Sequence, residues 1–508
     1  MPTSGFSAVL VAAACFLSSI THADQPNILF IMSDDHAAHA IGAYGGRLAS
    51  LNPTPTLDKL ASEGVMLTNA YCTNSICTPS RATLLTGQYS HVNGVTTLRG
   101  QIEGDRQYLA KSLKAAGYET AMIGKWHLSV EPSAFDYYSV LAGQGQYFNP
   151  FFRVRGPKPW PQNERRPLAY DSKHSSDVIT DLSLDWLKKR KAKDKPFFLM
   201  HHFKAPHDNF ENAERYDWMY QDVQIPEPSS LRIRGNHGPS GRDTYGTSVG
   251  PRNVRRNMGH HMFVDKNLPA DEYTGEAYQR YLKKFLRCVR GVDDNIARLV
   301  AHLESTGELE NTIIVYTADQ GFMLGEHDYI DKRWMYEESL KVPFIVRYPK
   351  TMKRSRKLDS MINNVDFAPT LIELAGAKRP DVMQGRSFAS QLAGAAAPDD
   401  WPTATYYRYW MHMKHHDNPA HFGVRTKTHK LIFFYGLPLD AAGAVQTPTE
   451  PYWELYDLAK DPNEMNNVIE DPAYATILRE LKTQLRELRA KVGDTDKKYP
   501  QINEWLAG

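Results

Sequence analysis

Two hydrophobic periods alternate along the chain. Continuous apolar runs, Asn27–Met32, Tyr118–Ile123, Pro196–Met200, Asn311–Thr317 and Val342–Pro349, read as strands buried on both faces, as in a parallel sheet lying between helices. A shorter strand-like run covers Val65–Ala70. Between the runs, apolar residues recur every three or four positions, over 57–64 up to the Gly64 stop, 107–116 before Gly117, 177–187 and 363–376. Tyr278, Leu282, Phe285, Val289, Val292, Ile296, Leu299 and Leu303 step by four and three and predict one long amphipathic helix. This alternation predicts an α/β fold, a large, mostly parallel sheet sandwiched by helices.

After residue 392 the pattern changes. Residues 393–402, rich in Ala, Asp and Pro, read as a linker between an α/β domain over 24–392 and a smaller unit over 403–508. There Ala404–Trp410, His421–Lys427 and His429–Tyr435 read as antiparallel strands, and 472–491 has helical period; a small antiparallel sheet covered by one helix is expected. Two stretches hold neither period. Residues 135–176 carry Arg153, Arg155, Lys158, Arg165 and Arg166, and a loop region of that length suits substrate contact or a solvated basic surface equally. Residues 208–272, with Arg252, Arg255, Arg256, His260 and His261, form an insertion of no legible role. The loop bearing His412, His415, His416, Asp417 and His421 lacks paired ligand spacings, so it reads as a substrate rim rather than a zinc site.

Composition narrows the class. With 42% hydrophobic residues, 23% charged and a formal net charge of +2, the chain is globular and has no bulk charge to draw nucleic acid, so anion recognition has to be local. Residues 6–20 match the core of a signal peptide and Thr21-His22-Ala23 offers small residues for cleavage; residues 1–23 therefore read as a leader and the mature chain as periplasmic or secreted. No Lys or Arg precedes Phe6, and Cys15 after three alanines leaves a lipoprotein as the weaker alternative. No later stretch reaches the 18 or so apolar residues of a membrane span. Cys72, Cys77 and Cys288 remain after processing, too few for a disulfide framework; Cys72 and Cys288 either pair or stay free.

Candidate chemistry gathers where the strands end. Asp34 and Asp35 follow the first apolar run, and adjacent carboxylates there repel unless a hard cation lies between them. Lys125 and His127 follow the second run, His207 the third and Asp319-Gln320 the fourth; a parallel sheet brings such ends to one edge. Between the first two runs lies Cys77-Thr78-Pro79-Ser80-Arg81, continuing to Gly87. Its proline predicts a helix with Thr78 as N-cap and Pro79 at the first helical position, its free amides facing an anion over Cys77.

That pentapeptide with Leu84-Leu85-Thr86-Gly87, the segment Gly117-Tyr118-x-Thr120 through Gly124-Lys125-x-His127, and Lys204-Ala205-Pro206-His207 together resemble the type I sulfatase family, over about Pro26 to Asn466. The segments Asp319-Gln320-Gly321-Phe322, Gly325-Glu326-His327 and Asp331-Lys332-Arg333 are similar to bacterial carbohydrate sulfatases, including those that take 6-sulfate from N-acetylglucosamine. The resemblance implies an alkaline-phosphatase-like sulfatase fold and a sulfuric ester hydrolase acting on a sulfated carbohydrate. It further implies that a formylglycine-generating maturation enzyme oxidises Cys77 to Cα-formylglycine, whose hydrate attacks sulfur. Arg81, Lys125 and Lys332 are then implied to bind sulfate oxygens, although Lys332-Arg333 alone reads as a surface pair. His127 is implied to deprotonate the hydrate and His207 to protonate the leaving alcohol. Asp34, Asp35, Asp319, Gln320 and the modified Cys77 are implied metal ligands, an oxygen set that suits Ca2+ best and Mg2+ next. Gln320 stands where the family usually has asparagine, one methylene further out. Two rivals are carried forward: a phosphodiesterase or phosphonate monoester hydrolase of the same superfamily, and an inactive glycan-binding relative.

Overall fold

In a computed structural model of the chain, residues 25–165, 172–190, 193–241 and 243–507 are described; the leader reading of 1–23 and Arg166 lie outside them. The apolar runs form β1 (Asn27–Asp34), β2 (Val65–Leu67), β3 (Glu119–Gly124), β7 (Phe197–Pro206), β8 (Thr312–Ala318) and β9 (Phe344–Arg347). Three more strands, β4 (Tyr137–Leu141), β5 (Phe152–Val154) and β6 (Glu164–Arg165), lie within the stretch 135–176 read as loop, in pieces too short to show a period, and β10 (Arg356–Leu358) is a further strand outside the runs. They make one ten-stranded sheet in the order β10-β2-β9-β8-β1-β7-β3-β4-β5-β6. Its centre, β8-β1-β7-β3-β4, is wholly parallel, with Asn27 opposite Thr312 and Glu119 opposite Phe197. The flanks depart from this: β9 runs antiparallel to β8 and β2, and β5 and β6 fold back as hairpins.

Side chains of β1 alternate between two cores, as a strand's period of two requires. Ile28, Phe30 and Met32 meet Leu84 and Leu85 of α2 (Cys77–Thr86), Leu109 and Leu113 of α3 (Tyr108–Ala115), and Leu371 on the same side. Leu29 and Ile31 face Leu57 of α1 (Pro55–Glu63), Val178 of α4 (Ser175–Lys189) and Phe285, Val289 and Val292 of α5 (Ala270–Ser305). This last helix is the one read from the four-and-three spacing. Its 36 residues span about 54 Å at 1.5 Å per residue, enough to cover the whole face.

Past residue 403, β11 (Ala404–Tyr409), β12 (His421–Thr426), β13 (His429–Phe434) and β14 (Tyr452–Asp457) form an antiparallel sheet in that order, covered by α6 (Ala475–Val492). The fourth strand is one the sequence reading did not recognise. Buried charge ties this sheet to the larger body: Glu337 accepts from Arg425 (2.9 Å) and lies 3.0 Å from Lys430, which also reaches Glu464 at 2.6 Å. Nearby, buried Glu454 accepts from Tyr336, Tyr456 and Ser240. Cys72 and Cys288 are both buried and unbonded, which closes the question left by their spacing.

Candidate active site

The site assembles at the carboxyl edge of the parallel centre. Asp34 is the last residue of β1, Asp319 follows β8, Lys125 follows β3 and His207 follows β7, four neighbouring strands delivering four residues to one place. The turn after β3 needs Gly124: its φ is +103°, and a Cβ there would sit 1.9 Å from the His202 carbonyl oxygen, which accepts the Lys125 amide at 2.8 Å. Asp35 and His127 also take positive φ, 68° and 54°, conformations rarely adopted without a surrounding structure that holds them.

The helix bearing Cys77 starts two residues earlier than its proline predicts. Ile76, extended at φ −151°, is the N-cap, and its carbonyl accepts the Ser80 amide, so Cys77 is the first helical residue and Pro79 the third. Proline is tolerated there because an N–H in the first turn has no partner within the helix. Cys77 is 1% exposed. Ser80 on the same helix donates to the Asp319 carbonyl and accepts from Asn364 at 2.9 Å, which pins the helix to the edge of the sheet.

Three carboxylates form the floor. One oxygen from each of Asp34, Asp35 and Asp319 lies within 4.8 Å of the others. Arg81 grips Asp319 Oδ2 through Nε (2.9 Å) and Nη2 (2.8 Å), and Nη2 lies 3.5 Å from Asp34. Lys125 pairs with Asp34 and Lys332 with Asp35. Burial works to raise the Asp34 carboxyl, but Lys125, His207 and Arg81 hold it well below the usual range. Asp319 goes the other way: burial and then the Asp34 charge push it up to about 7, as expected when neighbouring acids cannot all ionise. Such a set fits a divalent cation, which would take oxygen donors and relieve the repulsion. Asp34 Oδ1 and Gln320 Oε1 are buried and lack hydrogen-bond partners, as donors reserved for a cation would be. Gln320 instead turns Nε2 toward Asp35, Asp319 and the Cys77 sulfur, 3.9 Å away; presenting its oxygen to a cation requires turning the amide over.

Lys125 Nζ is 4.0 Å from the Cys77 sulfur, and His207 Nε2 is 3.7 Å from Asp35 Oδ2. His127 Nδ1 lies 3.5 Å from Thr78 Oγ1, and burial, then Lys125, lowers this histidine well below its ordinary value, which favours the uncharged ring. Lys332 and Arg333 are buried, 4% and 3% exposed, not the surface pair their sequence suggests. Cys77, Arg81, Lys125, His207, Lys332, Asp34, Asp35, Asp319 and Gln320 thus lie together, with His127 beside Thr78 of the Cys77 helix.

Other neighbours carry no sequence signal. Gln144, at the tip of a loop between two left-handed glycines, accepts from Lys125 Nζ at 2.7 Å. Arg333 pairs with Asp331, which His416 approaches at 3.5 Å. The histidine-rich loop otherwise divides: His412 and His421 are buried against backbone carbonyls. Among the described residues it forms no group able to hold a metal. His201 and His202 pack within β7, as expected, with His201 on Ser183. His202 also lies 3.2 Å from the Lys125 carbonyl.

Residues 26–377 match the sulfatase family, and residues 325–491 match the C-terminal region of N-sulphoglucosamine sulphohydrolase. The chain is 37% identical to an N-acetylglucosamine-6-O-sulfatase of Bacteroides thetaiotaomicron, over 96% of this chain and 90% of that protein. It is 26% identical to an arylsulfatase of Clostridium perfringens, covering 95% and 98% of the two chains. In three dimensions it superposes on BT4656, solved in complex with its substrate D-glucosamine-2-N,6-O-disulfate, with a TM-score of 0.81, 37% identity and coverage of 93% and 99%. The phosphonate monoester hydrolase of Silicibacter pomeroyi, at 23% identity and a TM-score of 0.71 over 94% and 97%, shares the fold. The strand-end constellation, the matched family and the identity along nearly the whole chain agree: this chain belongs to the sulfatase family and is a sulfuric ester hydrolase.

Proposed function

We propose that the enzyme removes the 6-O-sulfate of glucosamine residues in glycosaminoglycan-type carbohydrate, using a formylglycine made from Cys77 by a maturation enzyme and a divalent cation, Ca2+ before Mg2+. The observation that carries the reading is the meeting of Cys77, three carboxylates and three cationic side chains at one sheet edge. A relative named a 6-O-sulfatase and a solved structure holding a 6-O-sulfated glucosamine support this choice of sugar. Burial pushes the Cys77 thiol far above its usual range, so as a thiol it is no ionised nucleophile; this favours a converted side chain.

The hydrated aldehyde supplies the hydroxyl that attacks sulfur. Asp34, Asp35, Asp319 and Gln320 would hold a divalent cation, which would supply Lewis-acid chemistry at the sulfate. Arg81, Lys125 and Lys332 offset charge on the nonbridging oxygens. His127, neutral, accepts a proton from the hydrate, and His207 protonates the departing sugar oxygen. The test pairs a mass spectrum of the tryptic peptide spanning 60–81, taken from active enzyme, with a panel of sulfated sugars. The expected result is an aldehyde at residue 77 and fastest release from 6-O-sulfated N-acetylglucosamine. A fully active protein with an intact thiol would remove the nucleophile, and phosphonate turnover above sulfate turnover would reinstate the hydrolase rival.

A further inference from the structure

We propose that Asp208 is the positioning residue of the site: it fixes the hydrogen of the His207 ring on Nδ1 and so aims Nε2 at the ester oxygen that leaves. The proposal rests on the reading of His207 as the general acid. Two acceptors of the next residue enclose Nδ1. The Asp208 carbonyl oxygen lies 2.8 Å away and its carboxylate Oδ1 closer still. Two acceptors share one ring nitrogen only if that nitrogen carries the hydrogen. The opposite nitrogen then faces inward, where Nε2 stands 3.7 Å from Asp35 Oδ2. His207 also offers a ring nitrogen within 4.8 Å of the Asp34 carboxylate and the Cys77 sulfur.

The ring's backbone is held from both sides, its carbonyl accepting from the Tyr147 hydroxyl and its amide donating to Lys204 at 3.2 Å. The Asp208 side chain is 51% exposed. Its partial burial works to raise the carboxyl, but the adjacent His207 ring holds it well below the usual carboxylate range. A carboxylate behind a histidine sets which ring nitrogen is free and stabilises the protonated ring, as in other acid–base pairs.

In the step concerned, the bond between sulfur and the sugar oxygen breaks as sulfur bonds to the nucleophile oxygen at residue 77. The electron pair goes to the sugar oxygen, which takes the Nε2 proton and leaves as an alcohol, while the attacking hydroxyl gives its proton to His127; the other hydrogen stays on Nδ1 of the now neutral His207 ring, donated to Asp208. A sugar alkoxide is a poor leaving group and needs that proton. A 4-nitrophenolate does not, so leaving-group dependence separates proton donation from mere support of the fold.

The test measures kcat and KM of Asp208→Asn, Asp208→Glu and His207→Ala on 6-O-sulfated N-acetylglucosamine and on 4-nitrophenyl sulfate. Asp208→Asn is expected to lower kcat on the sugar ester about 10- to 100-fold with KM little changed, to leave the aryl ester within about threefold, and to be largely rescued in Asp208→Glu. His207→Ala should show the same selectivity with a larger loss, about 10²- to 10⁴-fold. Selectivity in His207→Ala but none in Asp208→Asn overturns the role of Asp208 alone. Equal losses on both esters in His207→Ala overturn the general-acid reading and this proposal with it. Independently, nitrogen-15 NMR of histidine-labelled protein is expected to place the neutral-ring hydrogen of His207 on Nδ1, and to move it in Asp208→Asn. A neutral ring that carries its hydrogen on Nε2 in the unaltered enzyme contradicts the assignment.

Discussion

Arg81 joins the two halves of the site, for its guanidinium binds Asp319 and donates to the Lys125 carbonyl at 2.7 Å, linking the ends of β8 and β3 to the helix of Cys77. Around it, carboxylates whose oxygens lie within 4.8 Å of each other make cation binding and folding stability one equilibrium. At a cation concentration a hundredfold above its dissociation constant, the native state gains about 2.7 kcal/mol. Dialysis against a chelator is therefore expected to abolish turnover and to lower the melting temperature, and Ca2+ or Mg2+ to restore both. A melting temperature unmoved by chelator and by added cation would count against a bound metal. Single residues were legible where a motif and a strand end coincide, as at Asp34, Lys125 and His207. Lys332 was less so, because hydrophobic period reports the burial of strands and helices but not of the loop that carries it. Asp208 and Gln144 gave no signal, since each acts through one contact with a neighbour far better marked than itself.

Gly124 shows how an element sets the chemistry beyond it. A β-carbon at this position meets the His202 carbonyl of β7 at 1.9 Å, in a left-handed conformation. Gly124→Ala is thus expected to part the ends of β3 and β7, costing about 2–4 kcal/mol by clash and strain. Urea unfolding should show the lower midpoint, and turnover should fall further than stability because Lys125 and His127 shift. A variant with unchanged midpoint would refute the close approach. β4 lay in a stretch read as loop, but the other strands of the centre were legible because both faces are buried, which leaves uninterrupted apolar runs. The fourth strand of the small sheet was not. Within Tyr452–Asp457 a fully buried glutamate, Glu454, breaks the expected alternation, and only the three hydroxyls meeting it in the folded protein explain why it is tolerated. The start of the Cys77 helix was misjudged by two residues for a related reason: proline marks a first turn, not its first position.

Across the molecule, the small sheet is fastened to the large one by a shared apolar core, in which Tyr407, Ile432, Phe434 and Tyr456 join Trp334 and Met335, and by buried charge. Glu454 makes this fastening sensitive to pH. Burial, resisted by the hydroxyls of Ser240, Tyr336 and Tyr456, pushes its carboxyl up to about 8, against about 4.3 in an unfolded chain. Between those values the folded protein holds a proton that the unfolded chain has released, so stability from this group is full below about pH 4.3 and is lost as pH rises through 8. Glu454→Gln, uncharged at every pH, is expected to flatten the fall in melting temperature between pH 5 and 8; parallel profiles for variant and parent would contradict a protonated Glu454. Chain order has its own outcome. Gln320 and Asp35, which meet in the site, are 285 residues apart in sequence, so at about 5–20 residues per second of synthesis roughly 15–60 s separate their emergence from the ribosome. Until β8 arrives the central strand lacks a neighbour and the helix of Cys77 lacks the Asp319 carbonyl that anchors it. Biosynthesis therefore leaves an interval in which that sulfur can still be reached by another protein, and completion of the sheet ends it.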